Sequence, residues 1–121
     1  MIGYVTHGTN NIEQAAHFYD ELLALLGAKR AMQNERFIAW GVGTGQPMVC
    51  VIKPFDGKAC TPGNGHMTAL FVSDTALVDK LHAKALALGG TDEGAPGPRV
   101  DGFYGAYFRD VDGNKLCFFN M

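Results

Sequence analysis

The chain has 121 residues, 47% of them apolar, and a formal charge of -2. That length holds one domain but not two independent cores, and such a domain buries enough surface to fold without disulfides or metal. Acidic and basic residues are mixed along the chain, so no basic stripe exists to neutralise phosphates and nucleic acid is excluded as a partner.

The segment 2–9 mixes Tyr, Val and Thr and reads as a strand. Asn10 and Asn11 follow as helix N-caps. Ile12, Ala15, Ala16, Tyr19, Leu22, Leu23 and Leu26 then recur at three- and four-residue steps, which predicts an amphipathic helix ended by Gly27. Short strands are expected at about 28–32, 36–41 and 47–54, with a turn at 43–46. A connector rich in Gly, Pro and Asp runs from 55 to 65. Residues 66–72 read as a strand and Asp74 as a second cap. Leu77, Val78, Leu81, Ala85 and Leu88 give a second helix, which Gly89 and Gly90 stop. A loop containing Pro96, Gly97 and Pro98 leads to a strand at 103–109. Asp112-Gly113-Asn114 signals a tight turn, and 115–119 closes the chain as a strand. The apolar runs at 24–26 and 48–52 are far too short to span a bilayer. No charged segment followed by a long apolar one opens the chain, so no signal peptide is expected and the expected location is the cytoplasm. Cys50, Cys60 and Cys117 match neither a disulfide framework nor a zinc-finger spacing and read as reduced thiols.

The two halves superimpose at an offset of 63 residues, Asn11 falling on Asp74, Phe18 on Leu81, Leu23 on Leu86 and Gly27 on Gly90. The pattern repeats, although the letters hardly do. The fold class expected is α+β, a single domain of two βαβββ modules. Module one covers about 1–55, a linker 56–65, and module two about 66–121. Pairing of the two open sheet faces would give a curved sheet around a cavity, with both helices outside. An ordinary α+β sandwich is the alternative.

Two segments carry a family resemblance. Asn11-Ile12-Glu13-Gln14-Ala15-Ala16-His17-Phe18-Tyr19 is similar to the first helix of the vicinal-oxygen-chelate superfamily, which includes glyoxalases, bleomycin resistance proteins and extradiol dioxygenases. The stretch from Tyr104 through Asp110-Val111-Asp112-Gly113-Asn114 to Leu116 resembles its closing hairpin, with Val111 in place of the usual proline. The resemblance covers nearly the whole chain and implies a half-open barrel and a homodimer. It also implies a divalent metal, held by two His and two carboxylates, that acts as a Lewis acid on vicinal substrate oxygens.

Carried onto this sequence, the metal positions are Tyr4, Cys50, Met67 and Cys117, with neither an imidazole nor a carboxylate among them. Hard cations want oxygen ligands, so no conventional metal centre and no cofactor is expected. His7 and His66 lie close by in the chain. Strand alternation turns both away from the face of Tyr4 and Met67 and reads them as hydrogen-bonded or partly exposed. A bulge would reverse this and make them the alternative metal ligands. Cys50, Cys117 and Met67 together would suit a soft ion. His17 and His82 are placed on outer helix faces without a role.

The remaining lining is apolar and aromatic. The resemblance packs Phe108 under the helices, which turns Phe103, Gly105 and Tyr107 to the cavity. Tyr4, Met48, Cys50, Ile52, Met67 and Cys117 join them, a composition usual for a small-molecule pocket. Trp40 is read as lining the pocket or a dimer seam. The loop at 94–102 would close over a ligand and bring Arg99 to an anionic group, or else stay solvated. Asp79, Lys80 and Lys84 read as a wet helix face. The first functional reading is a metal-independent binding protein for a small molecule. The alternative is a metal-dependent lyase of the lactoylglutathione-lyase type, or a dioxygenase, working through His7 or His66. A third reading makes Cys117 a catalytic thiol activated by Lys115.

Overall fold

Asn11 and Asp74 start the two helices in the same way. Each has extended backbone, and its side chain accepts from the backbone N–H three residues on, that of Gln14 or of Leu77. This satisfies a donor that the first turn would leave orphaned. The computed structural model describes residues 1–121. In chain order it contains β1 (Tyr4–Gly8), α1 (Ile12–Ala24), β2 (Lys29–Gln33), β3 (Phe37–Gly41), β4 (Met48–Ile52), β5 (Thr68–Phe71), α2 (Thr75–Ala87), β6 (Thr91–Pro98), β7 (Tyr104–Arg109) and β8 (Lys115–Asn120).

The strands form two four-stranded sheets ordered β1-β4-β3-β2 and β5-β8-β7-β6. The topology is one βαβββ unit used twice, as the sequence offset implies. In each sheet the first strand pairs parallel to the last of its module, with Tyr4 opposite Met48 and Thr68 opposite Leu116, and the other pairs are antiparallel. The sheets stay separate and do not close into a barrel.

A single apolar core joins the modules. From α1 it takes Phe18, Tyr19, Leu22 and Leu23, from α2 Val78, Leu81 and Ala85, and from the sheets beneath them Trp40, Val51, Phe108, Leu116 and Phe118. Phe108 lies under the helices as expected, stacked on Phe118 with ring centres 5.3 Å apart. Each such side chain contributes about 1.5–3 kcal/mol when removed from water. No helix is long and apolar enough to cross a membrane.

Four local expectations are corrected. Trp40 lines neither pocket nor seam. It is buried against Tyr19, and its Nε1 donates to Asp20 at 2.8 Å, which satisfies the indole inside the core. Residues 94–98 are strand rather than loop. They belong to β6, an irregular edge strand, where the missing proline N–H leaves no ladder bond broken. His82 is on no outer face, being buried with Nε2 3.0 Å from Asp92 Oδ1. Finally, Gly27 has φ +75°, but in module two the left-handed residue is Gly89, at φ +103°, and Gly90 is not left-handed. Gly90 is needed for space, since a Cβ there would sit 2.8 Å from Ala85 O and 2.9 Å from Arg109 O.

Candidate functional site

Alternation along β1 and the parallel register with β4 turn Tyr4, Thr6, Met48, Cys50 and Ile52 to the face of the first sheet opposite α1. With Met32, Phe37 and Ala39 they line a cavity of about 280 Å³ whose wall is apolar but for Thr6 and the Tyr4 hydroxyl. Cys50 is buried there, and burial pushes its thiol up. Thr6, Met32, Phe37 and Ala39 are not among the lining residues that the sequence predicts. Thr6 carries the plainest signal, since it stands two residues from Tyr4 on the same strand.

The matching face of the second sheet holds Phe103, Tyr107 and Cys117. Phe103 lies over Gly105 and stacks on Phe119 at 5.0 Å. Arg99 and Lys115 both sit over the Tyr107 ring. Met67 borders a separate groove with Ile2, Val5, Val49 and β5. Tyr4 and Cys50 are thus brought together, but Met67, Arg99, Phe103, Tyr107 and Cys117 do not line their cavity. Each module completes its own sheet, so its side chains share a face mainly with one another. Cys117 is 0% exposed, and burial raises its thiol against the weaker pull of Arg99 and Lys115. Both the burial and the raised pKa work against a thiolate at this position.

On the other side of β1, His7 packs beneath α1. Its ring stacks on Tyr19 at 6.5 Å and lies edge-on to His66 at 5.6 Å. His7 is 1% exposed and neither ring nitrogen has a hydrogen-bond partner, contrary to the hydrogen-bonded or partly exposed histidine expected. Burial pushes its pKa below the usual imidazole value; Asp110 pulls it up and His66 pushes it further down. Alternation does turn it from the face of Tyr4, as expected. His66 is exposed. No three His, Cys, Asp or Glu side chains converge in a way that could hold a metal ion.

The two resembling segments meet at Asp110. Its Oδ1 accepts from the backbone N–H of Asp112 and of Asn114, each at 2.9 Å. Its Oδ2 accepts from the Tyr19 hydroxyl at 2.5 Å and from Asn114 Nδ2 at 2.9 Å. Asn114 Nδ2 also donates to Gly8 O, and the Asn10 N–H donates to Asp112 Oδ1. The closing hairpin is therefore tied to the end of β1 and to α1. Burial first, then the Asp110 charge, holds the Tyr19 hydroxyl well above its usual pKa, so it remains a donor.

The sequence family described as the Glyoxalase/Bleomycin resistance protein/Dioxygenase superfamily matches residues 1–118. The chain belongs to that superfamily. Its fold agrees with a glyoxalase/bleomycin resistance protein from Albidiferax ferrireducens T118, 33% identical, with a TM-score of 0.90 over 100% of this chain and 98% of that one. A glyoxalase/bleomycin resistance protein/dioxygenase family enzyme from Burkholderia phytofirmans PsJN is 22% identical, with a TM-score of 0.76 over 98% of this chain and 96% of that one. A lactoylglutathione lyase from Agrobacterium tumefaciens is 18% identical, with a TM-score of 0.70 over 98% and 92%. The last two likenesses show the glyoxalase fold alone. No curated protein matches the chain.

Proposed function

We propose that this glyoxalase-superfamily chain binds a compact apolar or aromatic molecule in the cavity of its first sheet, without the divalent-metal centre usual in such proteins. The observation that carries the reading is the lining, seven of whose eight residues are hydrophobic. The volume of about 280 Å³ lies near the lower end of the range for small-molecule sites, about 300–1,000 Å³. Tyr4 and Thr6 supply the hydroxyls that would orient a ligand oxygen, and Cys50 forms part of the floor.

The donors at the family's metal positions do not fit a hard cation. They are a phenol at Tyr4, a thioether at Met67 and two buried thiols at Cys50 and Cys117, whose pKa values burial raises. A thiol ligates metal as thiolate, so burial works against binding. A second copy of the chain and a cytoplasmic location belong to the same reading. The exposed Tyr4 and Phe71 on the strands, with the exposed Met67 just before β5, support the former.

One observation favours the metal-dependent reading, lyase or dioxygenase. His7 has two unpartnered ring nitrogens and lies beside His66. Elemental analysis of protein purified without chelator separates the two, with melting temperature followed against small neutral aromatic compounds. Metal far below one ion per chain is expected, with a ligand-dependent rise in melting temperature that Cys50→Trp abolishes. Near-stoichiometric metal that disappears in His66→Ala would instead establish the second reading.

A further inference from the structure

Tyr107 has two cations over one ring, Arg99 Cζ at 5.3 Å and Lys115 Nζ at 5.6 Å from its centre. Neither takes part in an ion pair. The four pairs in the chain are Arg30–Asp20, His82–Asp92, Lys84–Glu21 and Arg109–Glu93. Glu93, a nearby carboxylate on β6, is therefore already engaged. Two like charges gathered over one ring favour an anion beside them.

Arg99 is held in place. Its Nη1 donates to Gly97 O at 3.0 Å and Pro98 O at 3.4 Å, and its Nη2 donates to Ala95 O at 2.6 Å. Of the five guanidinium N–H groups, this leaves Nε–H and one on Nη2. Arg30 uses that same edge to grip a carboxylate, Nε to Asp20 Oδ1 at 2.9 Å and Nη2 to Asp20 Oδ2 at 2.7 Å. In Arg99 the guanidinium is fixed in position, Nε has no partner and Nη2 keeps one donor beyond its bond to Ala95 O.

Two glycines make the seat. A Cβ at Gly97 would lie 3.2 Å from Arg99 Nη1. At Gly94 it would lie 3.3 Å from Arg99 Nη2 and 2.9 Å from Tyr107 Cδ2. Neither glycine has a positive φ; an added Cβ would crowd the Arg99 guanidinium at both positions and force a shift of Tyr107 at Gly94. The stacked Phe103 and Phe119 on the same face offer an aromatic wall.

We infer that Arg99 and Lys115 form a carboxylate-recognition site on the second sheet, which takes a small molecule with an aromatic or apolar body. The site is separate from the first sheet's cavity and stands whether or not that cavity is used. Bidentate Arg–carboxylate pairing supplies the specificity, and Lys115 adds a point charge.

Benzoate and its neutral counterpart benzamide test this on the full chain, read by NMR through the Arg99 Nε–H signal and by titration of backbone shifts. Saturable benzoate binding is expected, about tenfold or more tighter than benzamide, with the Arg99 signal moved by benzoate alone. Arg99→Gln and Lys115→Met each weaken benzoate binding by about tenfold and leave benzamide unchanged. Gly97→Ala weakens benzoate binding by displacing Arg99. Cys50→Trp does not alter it, so failure of the first-sheet reading is seen separately. Absence of benzoate binding at the Arg99 signal, an Arg99 signal moved equally by benzamide, or full benzoate affinity in Arg99→Gln would overturn the inference. Inorganic phosphate bound as tightly as benzoate would also overturn it, because the apolar body would then contribute nothing.

Discussion

Tyr19 on α1 donates its hydroxyl to Asp110 Oδ2 at the end of β7, 2.5 Å away across 91 residues of chain. The bond ties module one to the closing hairpin of module two and is wholly buried. Tyr19→Phe keeps the ring in the core and removes only the donor to a carboxylate. A loss of about 1.5–3 kcal/mol is expected, read as a lower urea midpoint with unchanged slope. Asp110→Ala costs more, because it also strips acceptors from Asn114 and from the backbone N–H groups of Asp112 and Asn114. The double variant loses less than the sum of the two singles, since they share one contact.

His7 makes stability fall in mild acid. Its pKa in the folded protein lies below its unfolded value, because burial without a partner disfavours the imidazolium. The unfolded chain therefore takes up the proton first, and protonation favours unfolding. Above about pH 6.5 the histidine is neutral in both states and has no effect on stability. As pH falls below that value, stability is lost until the folded-state pKa is reached. Melting curves between pH 7.5 and 5 should fall steadily for the native chain and stay flatter for His7→Phe. An equal fall in both would assign the acid sensitivity elsewhere.

The three thiols differ in access. Cys60 is partly exposed, whereas Cys50 and Cys117 are buried. Under native conditions an aromatic disulfide reagent should titrate one thiol per chain, lost in Cys60→Ser, and three after denaturation. Even Cys60 should react slowly at neutral pH, because burial and the charges of Asp112 and Asp110 raise its pKa. Rapid reaction of Cys117 would support the catalytic-thiol reading, and slow reaction would sink it.

Gly27→Ala and Gly90→Ala act through different physics. The first meets open space and incurs only the strain of φ +75°, about 1–2 kcal/mol. The second drives a methyl into two carbonyl oxygens, which are backbone and do not yield. It should destabilise the chain by about 1–3 kcal/mol or more and shift the α2–β6 junction. Thermal melts of the two variants, with amide shifts at Ala85 and Arg109, distinguish the cases.

The architecture could be read from the chain because it rests on local signals. Capping residues, the three-and-four spacing, stop glycines and alternation each act within a few residues, and a repeat doubles the signal. The opposed faces of Tyr4 and His7 followed from strand period alone. Where local signals serve two purposes the reading failed. Prolines and glycines at 94–98 suit a loop as well as an irregular edge strand, and Gly89-Gly90 does not say which residue is left-handed. The polar contacts of Trp40 and His82 depend on Asp20 and Asp92, which periodicity does not select.

The sequence by itself contained the α+β class, the duplicated module and the family, since all are matters of pattern and identity. Contacts between distant segments depend on how the two modules pack. Both family motifs were visible as separate strings, but only packing shows that Tyr19 of one is bonded to Asp110 of the other. Packing likewise leaves the buried His7 unpartnered, places Tyr4 and Cys50 on one sheet and Cys117 on the other, and folds Arg99 back over Gly94 and Gly97. Those outcomes depend on distances between atoms far apart in the chain, which no spacing along it encodes.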